Sequence, residues 1–160
     1  MNNAPRNKLL DSLTVPARWI LGGLFVYMGM SKALHPVEFL KLVHQYQLTD
    51  SPFVLNFIAA ALPWFEVFCG LLLLAGVAVR GSALLLVLML VPFTLVVLHR
   101  ALAIHTLKGI PLCAVKFDCG CGNGEEWICV KLPENCLLIL LSVWLVAGWG
   151  RQLCLRHRLL

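Results

Sequence analysis

Two cysteines separated by a single glycine are the residues of this chain best suited to covalent chemistry. Cys119 and Cys121 lie in a glycine-rich stretch, residues 117–124, which reads FDCGCGNG. A disulfide between residues this close closes a very small ring, and departure from relaxed geometry makes a disulfide easier to reduce. The glycines on either side permit the backbone conformations that such a ring requires. The pair therefore indicates thiol–disulfide exchange, in which either sulfur attacks or is attacked.

Other cysteines near this pair leave two further interpretations open. Five cysteines share one segment: Cys113, Cys119, Cys121, Cys129 and Cys136. Because three of them are available as disulfide partners, the first alternative is that Cys119 and Cys121 each bond a different loop cysteine, for example Cys113 and Cys129, and only staple the loop. The second is a copper(I)-thiolate site. The spacing does not match structural zinc, so no metal ligand is assigned.

Composition assigns the chain to the membrane. It has 160 residues, of which 60% are hydrophobic and 13% charged, and its mean hydropathy is +0.85. Such a chain is too apolar to cover a soluble globule. Its net charge of +5 is explained by membrane topology, so no nucleic-acid partner is expected.

The apolar runs predict an all-α fold, an integral membrane four-helix bundle in a single domain. Lipid demands that backbone polar groups be satisfied within each segment, which excludes open strands. The predicted spans cover about residues 15–34, 57–79, 82–100 and 136–150. Between the third and fourth lies a Cys-rich outer loop at 101–135, and a short amphipathic helix is expected between the first two spans.

Cations set the predicted orientation. Arginines and lysines flank the first span on its N-terminal side, Arg80 lies between the second and third spans, and three arginines follow the fourth. Since cytoplasmic loops carry an excess of such residues, both termini should be cytoplasmic and the Cys-rich loop should lie outside.

Two charges within the apolar runs form a second candidate site. Glu66 lies inside the second span, where an ionisable group is costly enough to suggest a function. Lys32, near the outer end of the first span, is the expected partner. One interpretation is that the pair fixes helix packing. The other is that Glu66 accepts protons that thiols lose before they attack.

The chain also resembles the DoxX and MauE superfamily. The resemblance rests on four spans, the LPWFEVFCGLLLLAG block from residue 62, and Cys119-Gly120-Cys121-Gly122 before a final helix opening with Glu134-Asn135. It implies a redox-associated protein of the bacterial inner membrane. MauE-like members are linked to maturation of the disulfide-rich small subunit of methylamine dehydrogenase, and DoxX-like members to thiosulfate and quinone oxidoreduction.

The combined expectation is thiol–disulfide chemistry at the outer face of the inner membrane. Electrons would pass between an exported thiol protein and the quinone pool or a partner thiol carrier, with Cys119, Cys121, Glu66 and Lys32 as the catalytic set. A different class of function is a non-catalytic accessory or assembly subunit of a membrane redox complex, and a third is the handling of copper or another soft metal.

Overall fold

The computed structural model describes residues 8–46, 51–118 and 125–147, with side chains from residue 13 onward. The described helices are α1 Lys8–Leu34, α2 Pro36–Gln45, α3 Pro52–Ala75, α4 Val79–Lys108 and α5 Ile128–Ala147. A 3-10 turn at Leu112–Ala114 precedes two short strands, β1 Lys116–Asp118 and β2 Glu125–Trp127. The predicted all-α fold is confirmed, and the small hairpin is an addition to it.

Four of these helices are long and apolar enough to cross a bilayer: α1, from Leu13, and α3, α4 and α5. They contribute 22, 24, 30 and 20 residues to candidate spans, and ~20 residues suffice to cross the hydrocarbon layer. Large apolar side chains point away from the bundle along all of them; Phe57, Leu88 and Leu140 are each at least 60% exposed. The chain is therefore a multi-pass membrane protein.

Helix boundaries differ from the predicted spans mainly at the hairpin end of the bundle, the end that carries β1 and β2. Helix α3 begins at Pro52, a residue type suited to a first helical turn. Helix α4 continues to Lys108, where Gly109 adopts a left-handed conformation (φ 62°) that ends it. Helix α5 begins at Ile128, before the polar residues that lower local hydropathy. The connection between α4 and α5 is consequently residues 109–127.

The predicted amphipathic helix forms α2, and its apolar face packs on α3. Phe39 and Val43 are buried in a cluster with Leu55 and Ala59 from the first turns of α3. A short helix with one apolar face must cover that face. Here α3 covers it, so α2 extends the bundle at the hairpin end.

The α1–α3 interface is the most extensive helix contact and depends on glycine. A methyl group added at Gly22 would lie 2.8 Å from the carbonyl oxygen of Gly70, and one added at Gly70 would lie 2.8 Å from that of Gly22. Small residues let helix backbones approach closely in a membrane. Gly23, by contrast, has no neighbour within 4 Å of such a methyl group, so Gly22 supplies the close-packing face.

Candidate functional site

A buried ion pair joins α1 to α3. The Lys32 ammonium donates hydrogen bonds to both carboxylate oxygens of Glu66, with Nζ–Oε1 and Nζ–Oε2 distances of 2.6 and 2.7 Å. The Lys32 and Glu66 side chains are 6% and 9% exposed. The Phe39 and Phe93 ring centroids lie 5.5 and 6.0 Å from Nζ, where ring faces attract a cation. The pair, which joins α1 and α3 through its own hydrogen bonds, is thus also contacted by α2 through Phe39 and by α4 through Phe93.

The glycine interface continues up to this ion pair. Gly29 is three residues before Lys32, and a methyl group at Gly29 would lie 2.7 Å from the Pro63 carbonyl oxygen and 3.0 Å from the Glu66 Cβ atom. Residues three apart on a helix share a face. The close approach at Gly29 therefore brings α3 near enough for Lys32 and Glu66 to bond directly.

Glu66 lies deeper than the sequence indicated. It comes fourteen residues after Pro52 and nine before Ala75, which places it ~21 Å from one end of the helix and ~14 Å from the other. The predicted span begins at about residue 57, so the start of α3 at Pro52 puts five more residues between Glu66 and that end of the helix. Glu66 is consequently in the central part of α3, although its partner Lys32 lies in the last turn of α1.

The second candidate site, Cys119 and Cys121, lies outside the described residues. The structure does describe the two strands on either side of it. Strands β1 and β2 pair antiparallel with Lys116 opposite Trp127 and Asp118 opposite Glu125, so residues 119–124 connect the two ends of this hairpin. The Lys116 ammonium lies 5.3 Å from the Trp127 ring centroid.

A disulfide closes the base of the hairpin. Cys113, in the 3-10 turn, bonds Cys129, the second residue of α5, with a Cα–Cα distance of 5.0 Å. Beside it the Ile128 amide donates a hydrogen bond to the Val115 carbonyl at 3.2 Å, and both side chains are fully buried. Cys113 and Cys129 therefore bond each other, so neither is bonded to Cys119 or Cys121 as in the example given for the stapling alternative. Cys136, the remaining disulfide candidate, is a free cysteine with an exposed side chain.

Lys131 links the hairpin to α5 and was not singled out from the sequence. Its side chain is 3% exposed, and its ammonium lies 3.1 Å from Glu126 Oε2 and 2.8 Å from Glu134 Oε2. Glu126 belongs to β2 and Glu134 to α5, so Lys131 ties the strand to the helix that follows. Within the described parts of the chain, no group of three or more His, Cys, Asp or Glu side chains is arranged to hold a metal ion.

Asn135 is the second residue that sequence reasoning did not place in the site. It lines a cavity of about 30 Å³ between the long helices, together with Lys32 and Glu66. Apolar walls come from α1, α4 and α5 and include Phe25, Met89 and Leu138. A signal was present in the sequence: Lys131, Asn135 and Ser142 recur at helical spacing on the buried face of α5, and polar residues inside a span seldom lack a role.

The fold and these contacts define a multi-pass helical membrane protein with a buried Lys-Glu pair and a disulfide-closed hairpin at one end. The family model described as "Methylamine utilisation protein MauE" matches residues 10–148. The chain belongs to this family, whose name associates it with methylamine utilisation. No curated protein and no solved structure matches the chain.

Proposed function

We propose that this protein carries out thiol–disulfide exchange at the outer face of the bacterial inner membrane and thereby assists maturation of an exported partner. Cys119 and Cys121 are the exchanging sulfurs. The observation that carries the proposal is the Cys113–Cys129 disulfide at the base of the hairpin. It occupies two of the three possible loop partners, which leaves Cys119 and Cys121 for each other, for Cys136 or for a partner protein.

The exchange conserves atoms and electrons. A thiolate of the exported partner attacks the Cys119–Cys121 disulfide, forms a mixed disulfide and releases one thiolate of the pair. The partner's second thiolate then resolves the mixed disulfide, so the partner is oxidised by two electrons and the Cys119/Cys121 pair is reduced. A lipid-soluble quinone or a partner thiol carrier would accept those electrons. Glu66, held by Lys32, would accept a proton lost from a thiol.

A second candidate function is an accessory subunit that assembles a membrane redox complex without exchanging thiols. The Cys113–Cys129 disulfide also favours this function, because it holds the hairpin to α5 whatever the state of Cys119 and Cys121. In that case the hairpin is a rigid docking element, and the buried ion pair is structural. The third function, soft-metal handling, predicts that copper is lost when Cys119 or Cys121 becomes serine.

Thiol trapping in native membranes tests the proposal. In the unaltered protein, Cys119 and Cys121 should alternate between alkylated and protected forms as reductant and oxidant are supplied. In Cys119→Ser or Cys121→Ser, the remaining thiolate should attack a disulfide of the exported protein and release one of its thiolates, and the mixed disulfide should persist on a non-reducing gel because the second thiol of the pair is missing. The matched control is Cys136→Ser, which removes an exposed free cysteine and should change neither result.

Three outcomes would contradict the proposal. Permanent protection of both sulfurs through a cycle of reduction and oxidation would favour the accessory function. Persistence of the mixed disulfide in a Cys119→Ser/Cys121→Ser double variant would assign the exchange to another cysteine. Copper measured in the purified protein, and absent from the serine variants, would instead favour metal handling.

A further inference from the structure

The cavity beside the ion pair combines apolar walls with a polar end built from three helices. Lys32 of α1, Glu66 of α3 and Asn135 of α5 all line it, and Phe93 of α4 closes one side. Lys32 and Glu66 are its titratable lining residues, and their opposite charges make the polar end neutral overall. A neutral polar end of this kind favours a neutral ligand over an anion or a cation.

The Asn135 side chain indicates which hydrogen bonds that ligand must form. Its side chain is 2% exposed, and its Nδ2 atom has no hydrogen-bond partner among the described residues. A buried amide nitrogen without an acceptor is costly, and such groups in folded proteins are normally satisfied by protein or by ordered water. Each oxygen of the Glu66 carboxylate accepts one hydrogen bond from Lys32. A carboxylate oxygen can accept a second hydrogen bond, so Glu66 can also accept one from a ligand. The site therefore requires a small molecule that both accepts and donates hydrogen bonds.

The volume of the cavity limits the size of this ligand. At about 30 Å³ the cavity is large enough for about one or two water molecules, and its polar end offers the several partners that a stable internal water needs. We propose that the cavity is a hydration site, in which internal water accepts a hydrogen bond from Asn135 Nδ2, donates one to Glu66, and keeps the ion pair in proton exchange with bulk water.

The face of α5 that carries Asn135 supports this proposal. Lys131 lies one turn closer to the hairpin on the same buried face, and it contacts Glu126 and Glu134 at the hairpin end. Polar side chains thus continue from the hairpin to the cavity along the buried face of α5. Water molecules between the hairpin and the cavity can therefore form hydrogen bonds with side chains on the buried face of α5. The lipid-facing side of α5 does not provide such a path.

The inference deepens the proposed function, because a carboxylate that accepts protons from thiols must also release them. It does not depend on thiol exchange for its test. The experiment is therefore performed on the Cys119→Ser/Cys121→Ser protein, so that failure of the hydration site and failure of the thiol chemistry are seen separately.

The test is water-edited solid-state NMR on lysine- and asparagine-labelled protein in lipid vesicles, which measures magnetisation passed from mobile water to individual side chains. The Lys32 signal is identified by its loss in Lys32→Arg, a substitution that keeps a cation beside Glu66. We expect both Lys32 Nζ and Asn135 Nδ2 to receive magnetisation from water, despite their burial. Asn135→Leu should reduce the transfer to Lys32 several-fold.

The matched control is Ser142→Ala. Ser142 is a buried polar residue two turns further along α5, but it donates to the Leu138 carbonyl at 2.8 Å and does not line the cavity, so its loss should leave the transfer unchanged. The proposal is overturned if Lys32 receives no magnetisation from water while Asn135 is unsubstituted, a result that does not depend on whether Asn135→Leu folds. It is equally overturned if Asn135→Leu folds and transfers magnetisation to Lys32 as before.

Discussion

At the scale of single residues, the Lys32–Glu66 pair buries two opposite charges between α1 and α3. Either charge, placed alone in the apolar interior of a membrane, would cost several kcal/mol. Nζ–Oε distances of 2.6 and 2.7 Å and the nearby rings of Phe39 and Phe93 offset this cost only while both partners are present. The pair therefore behaves as one unit, and the loss of one member differs from the loss of both.

A double-mutant cycle should expose this dependence. Lys32→Met leaves the Glu66 carboxylate buried without a counter-charge, so we expect it to lower the free energy of unfolding by about 3–5 kcal/mol. The double variant Lys32→Met/Glu66→Leu should recover most of that loss, because apolar replacement of both partners of a buried pair is often nearly neutral. Reversible unfolding in mixed micelles measures each value.

The control for this cycle is Lys41→Met on α2, since Lys41 is exposed and its replacement should have little effect. A double variant no more stable than Lys32→Met would contradict the interpretation that the two side chains are coupled.

At the scale of elements, two sets of contacts position the two candidate sites. The first is the glycine contact between α1 and α3, at which Gly22 faces Gly70 and Gly29 faces Pro63. The second is the base of the hairpin, where the Cys113–Cys129 disulfide and the Lys131 contacts fasten β1 and β2 to α5. The glycine contact sets the distance between Lys32 and Glu66. The base of the hairpin fixes both ends of the segment that contains Cys119 and Cys121.

Bulk added at Gly22 should separate α1 from α3. Gly22→Val places side-chain atoms where the Gly70 carbonyl and Leu74 now lie, and overpacking of this kind typically costs about 1–3 kcal/mol. Gly23→Val is the matched control, because it makes the same change of residue type one position away, where a side chain meets no neighbour. We expect only Gly22→Val to lower the unfolding midpoint substantially. Equal effects would show that helix propensity, rather than packing, explains both.

At the scale of the whole molecule, the bundle separates two ends with different chemistry. The turn at residues 76–78, between α3 and α4, lies at one end, next to Arg80. Helix α2, the hairpin and the disulfide lie at the other. Disulfides persist in oxidising compartments, and cytoplasmic loops are rich in arginine and lysine. Both considerations predict that the hairpin end faces outward.

Site-directed labelling checks this orientation. Val77→Cys marks the turn, and Glu125→Cys marks the hairpin at an exposed position. Both are introduced into a background that keeps Cys113 and Cys129 and replaces the remaining cysteines by serine. A membrane-impermeant maleimide added to intact cells should label Glu125→Cys and not Val77→Cys, whereas permeabilised cells should label both. The reverse pattern in intact cells would invert the proposed topology and remove the outer-face chemistry.

The sequence by itself determined the class of the protein and its four long helices. Lipid leaves no alternative to internally bonded helices for apolar runs of this length, so hydropathy along the chain was sufficient. The same reasoning singled out Lys32 and Glu66, because a charge in such a run stands out without any knowledge of its neighbours.

Only the tertiary structure decided that Cys113 pairs with Cys129 and what surrounds the charges. Five cysteines in one segment allow many connectivities, and the choice of Cys113 with Cys129 depends on the hairpin bringing the 3-10 turn beside α5. The cavity that Asn135 shares with Lys32 and Glu66 arises from residues on different helices. Such contacts depend on the rotation and separation of packed helices, which glycine contacts set in three dimensions and which hydropathy along one chain does not encode.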